Sequence, residues 1–198
     1  MNELLRMKRI VYFHGFGSSG ASGTVESLRL LLPDYEILAP DIPVDPVDAL
    51  PYLRAYCEDN RPDLIIGTSM GGMYAQQMFG FRKICVNPAF NMSQASKVLK
   101  TGTHKFFNGR KDNQKEFTIT KTTIQHFFMM ERSQFKGITD FDKANTYGLF
   151  GIHDTLVNTY DLFKKYYPNA RRFDGEHRLN ESVLKKAVIP LVKEILEA

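Results

Sequence analysis

The sequence predicts an α/β fold, a doubly wound parallel sheet of about six strands. Two observations point there. Six short, nearly continuous apolar runs, at residues 9–13, 35–39, 63–67, 83–86, 146–150 and 171–173, read as strands covered on both faces. Longer amphipathic runs, at 24–32, 46–60, 69–80, 155–167 and 181–196, alternate with them as helices. This β-α rhythm is the pattern of crossover-connected parallel strands. A chain of 198 residues fits one domain with one core, 1–198.

Individual elements carry their own signals. Asp45-Pro46 is an N-cap followed by proline at the first helical position. Val183, Leu184, Ala187, Val188, Leu191, Val192, Ile195 and Leu196 make one apolar stripe along the last helix, where Pro190 predicts a kink. Residues 87–145 break the rhythm, hold no clear strand and are too long for a plain connection. They read as an inserted cap at about 88–145 with a helix near 122–132.

Composition narrows the class. The chain is 43% hydrophobic and 24% charged, as in ordinary globular proteins. No apolar run approaches the ~20 residues of a membrane span. The start, Met1-Asn2-Glu3-Leu4-Leu5-Arg6, lacks a secretory pattern, and Cys57 and Cys85 read as buried free thiols at no metal-ligand spacing. A cytoplasmic location is the expectation. The net charge of +4 comes without a basic stripe interleaved with aromatics, so no nucleic-acid partner is expected.

The chemistry centres on Asp63-Leu64-Ile65-Ile66-Gly67-Thr68-Ser69-Met70-Gly71-Gly72, a buried strand running through a glycine-flanked serine into a helix. Gly67 and Gly71 allow a turn that a Cβ would block, and Ser69 then projects from the strand end. A serine hydroxyl needs a base, and the base needs an orienting acid. In the α/β-hydrolase fold that such a turn suggests, acid and base follow the serine in that order, each past a later strand. Asp154 in Gly151-Ile152-His153-Asp154 is the candidate acid. His177 in Phe173-Asp174-Gly175-Glu176-His177 is the candidate base. His153 follows the wrong strand for that role. His104 and His126 read as surface or packing residues of the cap, Asp174 as a turn residue and Asp161 as a solvated helix residue.

A third motif is Val11-Tyr12-Phe13-His14-Gly15-Phe16-Gly17-Ser18-Ser19-Gly20. The loop after this strand supplies one oxyanion donor in such a fold, and the residue after the serine supplies the other. The candidates are the backbone N–H groups of Phe16 and Met70, with His14 and Gly15 shaping the loop. The same stretch matches a dinucleotide fingerprint, Gly15-x-Gly17-x-x-Gly20, with Asp41 about 20 residues on. Against that reading, the helix starts too late for Gly20 to pack on the strand, and Asp41 sits in a Pro-rich loop. It also leaves the order Ser69, Asp154, His177 unexplained.

His14-Gly15-Phe16-Gly17-Ser18-Ser19, Ile66-Gly67-Thr68-Ser69-Met70-Gly71-Gly72-Met73-Tyr74-Ala75 and Val86-Asn87-Pro88-Ala89 together resemble the small bacterial YqiA/YcfP-like esterases of the α/β-hydrolase superfamily. The resemblance implies an intracellular esterase with a Ser-Asp-His triad, acting on short acyl esters without a cofactor or metal. It also implies six parallel strands in the order 2-1-3-4-5-6. The first and third strands then meet at the switch point, where ligands bind.

The cap is longer and more aromatic than that pattern. Phe106-Phe107, Phe117 and His126-Phe127-Phe128-Met129-Met130 read either as packing onto the sheet or as an acyl pocket. Lys97, Lys100, Lys105, Arg110, Lys111, Lys115 and Lys121 make its first half basic. That reads as a solvated face, or as an attraction for an anionic thioester. The functional expectation is therefore a serine hydrolase for a small-molecule ester. The alternatives are an acyl-thioesterase on the same residues, a nicotinamide-dinucleotide-binding protein and a non-catalytic binding module.

Overall fold

The structure, a computed structural model, describes residues 6–95 and 98–197. The leader reading at Met1–Leu5 and the basic residue Lys97 lie outside the described residues. Six strands form one parallel sheet: β1 (Lys8–Phe13), β2 (Tyr35–Leu38), β3 (Leu64–Thr68), β4 (Lys83–Val86), β7 (Thr146–Gly151) and β8 (Asn169–Phe173). Their spatial order is β2-β1-β3-β4-β7-β8, which is the expected 2-1-3-4-5-6.

Side chains alternate across this sheet, and both faces are buried. Ile10, Tyr12, Leu64, Ile66, Ile84, Val86 and Leu149 join one core with Val25 and Leu28 of α1 (Gly23–Leu31) and with the C-terminal helix. Val11, Phe13, Ile65, Cys85 and Phe150 join the other. That core also takes Leu53 of α2 (Pro46–Asn60), Met73 and Tyr74 of α3 (Met70–Gln76), and Phe163 of α6 (Tyr160–Lys164). Two-sided burial explains why the strands read as unbroken apolar runs. Cys57 and Cys85 are buried free thiols, and burial pushes both up to about 12.

Local signals explain several boundaries. The Asp45 carboxylate accepts the Val47 N–H, so α2 begins at Pro46 as expected, and Arg61 closes it at φ 46°. The last helix runs α7 (Glu181–Val183), a π-helical turn over Leu184–Val188 and α8 (Ile189–Glu197). The disruption expected at Pro190 therefore appears as a π turn just before it.

Three sequence expectations need correction. Residues 87–145 do contain strands, an antiparallel ribbon of β5 (Gly102–Lys105) and β6 (Glu116–Ile119). Only Phe117 and Ile119 of that ribbon are buried, so it lacks a periodic apolar signature. Helix α4 (Lys121–Glu131) follows it, capped by Thr120, and α5 (Asp140–Asn145) by Thr139. The helix expected at 155–167 starts only at Tyr160, because Asp154 Oδ1 accepts the N–H groups of Leu156 and Val157 and shapes a loop. The helix expected at 69–80 is α3 alone, with Ser69 outside it in a non-helical conformation.

A buried ion pair joins α5 to the sheet. Lys83 Nζ donates to Asp142 Oδ1 at 2.8 Å and to the Met78 carbonyl at 2.8 Å, and both side chains are fully buried. Removing one partner strands the other charge. Lys83→Met should lower the unfolding free energy by about 3–5 kcal/mol in urea titrations. Lys83→Met/Asp142→Asn should recover part of that loss. A single-variant loss under about 1 kcal/mol would contradict the assigned role.

Candidate active site

The turn from β3 into α3 bends so tightly that only glycine fits at two places. A Cβ on Gly67 would lie 2.2 Å from the Gly71 carbonyl oxygen, and one on Gly71 would lie 2.1 Å from that of Phe13. Between them Ser69 adopts φ 55°, ψ −119°. This conformation, disfavoured for a residue with a Cβ, aims the side chain out of the strand end. Ser69 N–H donates to Val86 O, and Ser69 O accepts from Met73 N and Ala89 N. The turn is thus bonded on both sides, and Ser69 stays partly exposed.

Two later loops converge on it. His177 Nε2 lies 3.0 Å from Ser69 Oγ, and His177 Nδ1 lies 2.7 Å from Asp154 Oδ2. A carboxylate only accepts, so Nδ1 carries the proton and Nε2 is left to accept from the Ser69 hydroxyl. The Asp154 side chain is 2% exposed and that of His177 is 16% exposed. Asp154 Oδ1 is spent on Leu156 and Val157, which leaves Oδ2 for the imidazole. The structure thus brings the three predicted residues into one hydrogen-bonded series. The other histidines are engaged elsewhere. His153 pairs with Asp174 at 3.1 Å, His104 bonds the Lys100 carbonyl, and His126 meets both Asp45 oxygens at 2.9 Å.

The loop after β1 lies beside the serine, since a Cβ on Gly15 would be 3.6 Å from Ser69 Cβ. Among the described residues, neither the Phe16 N–H nor the Met70 N–H has a protein acceptor. His14 is buried and holds this loop. Its Nε2 accepts the Ile42 N–H at 3.0 Å, and its Nδ1–H donates to the Gly15 carbonyl at 2.8 Å. Burial, before any other cause, pushes His14 down to about 4 and keeps it neutral.

The helix after this loop, α1, begins only at Gly23, as expected. Gly20 packs instead against the end of β2, where a Cβ would meet Ala39 O at 2.3 Å. Asp41 accepts the Gly20 N–H and the Lys111 N–H, one on each oxygen, which accounts for the spacing that resembled a dinucleotide fingerprint. Arg110 is no part of a solvated face. Its side chain is 5% exposed, it lies over the Phe106 ring at 4.4 Å and it donates to the Ile42 carbonyl. Lys100, Lys105, Lys111, Lys115 and Lys121 are exposed. Of the aromatic cap residues, Phe117 and Phe127 are buried, while Phe107, Phe128 and Met129 are exposed.

Asn87, in the Val86-Asn87-Pro88-Ala89 stretch, has a role that the sequence does not announce. It follows β4 at φ 44° and is buried. Its Nδ2 donates to the Glu176 and His177 carbonyls at 3.1 and 3.2 Å, and its Oδ1 accepts the Gly151 N–H at 2.8 Å. One side chain therefore ties the His177 loop to the end of β7, the strand that precedes Asp154. The available signal was a polar residue at the carboxyl end of a central strand, where α/β sheets gather their sites. A groove of about 700 Å³ lies between β8 and the C-terminal helix; its lining includes Arg172, Phe173 and Lys186 but neither Ser69 nor His177.

Sheet order, turn and converging loops define an α/β-hydrolase fold. Solved structures agree on the fold. Est1E from Butyrivibrio proteoclasticus, solved with ferulic acid bound, matches with a TM-score of 0.69 at 14% identity over 100% of this chain and 94% of its own. Mouse alpha/beta hydrolase domain-containing protein 10 matches with a TM-score of 0.67 at 11% identity, over 97% of this chain and 90% of its own. The thioesterase domain from the curacin biosynthetic pathway matches with a TM-score of 0.59 at 15% identity, over 96% and 92%. No curated protein sequence matches significantly. The model of the uncharacterised protein family UPF0227 matches residues 9–135, and the chain belongs to that family. Among the described residues, no helix is long and apolar enough to cross a membrane.

The neutral state of His14 has a measurable consequence. The unfolded chain protonates this imidazole near 6.5 and the native chain near 4, so the unfolded state binds more protons between those values. The stability that neutral His14 contributes is complete above about pH 6.5 and is lost as the pH falls toward 4. The loss should be about 3 kcal/mol in denaturant titrations across that window. A His14→Gln variant, which keeps an acceptor for Ile42, should lack that part of the slope. An unchanged slope would assign it to other groups.

Proposed function

We propose that this chain is a serine carboxylesterase in which Ser69 is the nucleophile, His177 the general base and acid, and Asp154 the orienting carboxylate. The supporting observation is the hydrogen-bonded series Ser69 Oγ, His177, Asp154, built from loops far apart in sequence. His177 Nε2 takes the hydroxyl proton as Ser69 Oγ attacks the ester carbonyl. The Phe16 and Met70 N–H groups, free of protein acceptors among the described residues, receive the developing oxyanion. The tetrahedral intermediate collapses, the C–O bond to the alcohol breaks, and His177 returns the proton to the leaving oxygen. Water then attacks the acyl-Ser69 ester as His177 takes its proton. The acid departs and the hydroxyl is restored. Asp154 holds the imidazole with its proton on Nδ1 and stabilises the imidazolium in both halves.

In this reading residues 88–145 are a cap inserted into a single catalytic domain, and the substrate is a small acyl ester. An acyl thioester would follow the same path, since the residues do not distinguish an oxygen from a sulfur leaving group. The exposed lysines on the cap favour testing anionic thioesters beside neutral esters.

The deciding experiment is fluorophosphonate labelling with peptide mapping, together with turnover of p-nitrophenyl acetate. Wild-type protein should be labelled on Ser69. Ser69→Ala should lower kcat by about 10⁶-fold and Asp154→Asn by about 10⁴-fold, as such deletions do in other serine hydrolases. A Ser69→Ala variant with wild-type turnover, or label on another residue, would overturn the assignment.

A further inference from the structure

The loop after β1 touches more than the sheet. Four consecutive cap residues reach it or its neighbours across about 70 to 90 positions of sequence. The Phe107 N–H donates to Gly17 O at 2.8 Å, and Asn108 Nδ2 donates to Ser18 Oγ at 3.0 Å. Ser19 Oγ donates to Gly109 O at 2.7 Å, and Arg110 donates to Ile42 O at 3.3 Å. Gly17 itself is at φ 71°, with the Phe107 ring 3.0 Å from where a Cβ would stand. The Phe107 side chain is otherwise 73% exposed.

Asp41 is the joint of this arrangement. Its Oδ1 accepts the Gly20 N–H at 2.8 Å, and its Oδ2 accepts the Lys111 N–H at 2.7 Å. One carboxylate thus closes both the β1 loop and the cap loop onto the strand end beside Ala39. Charge-assisted bonds to backbone N–H groups are the strong kind, and bonds to both oxygens fix the direction of the group. From the other side, the Ile42 N–H donates to His14 Nε2. Residues 14–20 are therefore held between 41–42 and 107–111, with Phe16 inside the clamped stretch.

We infer that Asp41 is a positioning residue for the oxyanion loop, acting through the cap strut 107–111, which holds the Phe16 N–H where the oxyanion develops. The inference rests on the esterase reading above. It goes further in giving a cap segment a part in the chemistry rather than in substrate choice alone. The oxyanion donor is a backbone group and cannot be deleted by a side-chain change, whereas its support can. A donor displaced by a fraction of an ångström still meets the substrate but loses transition-state charge stabilisation, so kcat should move and KM should not.

The test compares Asp41→Asn, Asp41→Ala and Asn108→Ala with wild type on p-nitrophenyl acetate. Inhibition by a trifluoromethyl ketone, which forms the oxyanion on the enzyme, is measured in parallel. Asp41→Ala should lower kcat by about 10–100-fold with KM within about twofold, as small misplacements of catalytic groups do. The inhibition constant should rise by the same factor as kcat/KM falls. Asp41→Asn, which keeps one acceptor oxygen, and Asn108→Ala, which removes one strut bond, should show smaller shifts in the same direction. Wild-type kcat and inhibition constant in Asp41→Ala would overturn the inference. So would parallel losses in kcat and KM without a change in that constant. Hydrogen exchange of the amides at 15–20 supplies a readout independent of activity. It should accelerate in Asp41→Ala, and unchanged exchange would also overturn the inference. If wild-type protein neither labels nor turns over ester, the esterase reading fails, and exchange alone then decides whether Asp41 and the strut hold the loop.

Discussion

The structure depends on one strained residue. Ser69 stands at φ 55°, ψ −119°, a conformation that costs a side-chain-bearing residue of order 1–3 kcal/mol. Nothing local stabilises it enough, so its neighbours must. Ser69 bonds to Val86 through its N–H and to Met73 and Ala89 through its carbonyl, which pins the turn between β4 and α3. The missing side chains of Gly67 and Gly71 let α3 press against β1 and β3 at distances no Cβ would tolerate. The tight packing of helix on strand and the exposure of the hydroxyl are two results of the same backbone geometry.

Around that turn the molecule uses single polar side chains to join loops. Asn87 links the His177 loop to Gly151, Asp154 shapes its own loop with one oxygen and meets His177 with the other, and Asp41 joins the β1 loop to residue 111. Each lies at or just beyond a strand's carboxyl end or a loop next to it, where backbone N–H and C=O groups no longer find ladder partners. These side chains take the place of the sheet where the sheet stops. The donors and acceptors of the site are consequently placed by side-chain bonds and not by regular structure.

Much of this was legible in the sequence, for physical reasons that also mark where legibility ends. The parallel strands were readable because both faces are buried, leaving unbroken apolar runs such as Leu64-Ile65-Ile66. The β3 turn was readable because glycine spacing there is dictated by steric contact. The segment 155–159 was not, because an Asp154 side-chain bond overrides helical propensity. The β5–β6 ribbon escaped because only two of its side chains are buried, so no alternation registers. Asp41 was visible only as a residue at a suggestive distance from Gly20; its dependence on Lys111, 70 positions away, is a tertiary fact.

That dependence bears on how the inserted segment relates to the rest of the fold. A cap that merely covered a site could hinge freely on its connections. Here the ribbon buries Phe117 against Phe16 at 5.3 Å between ring centres, residues 107–109 bond to the loop that contains Phe16, and residues 110 and 111 bond to Ile42 and Asp41 beside it. Helix α4 is tied to the start of α2 through His126 and Asp45, and Lys83 anchors the segment's far end through Asp142. Moving the ribbon would therefore break several hydrogen bonds of the β1 loop together, each costing about 1 kcal/mol, while leaving buried groups unpaired. The β5–β6 ribbon and the loop after β1 are thus joined both by ring packing and by hydrogen bonds at three successive residues, 107, 108 and 109.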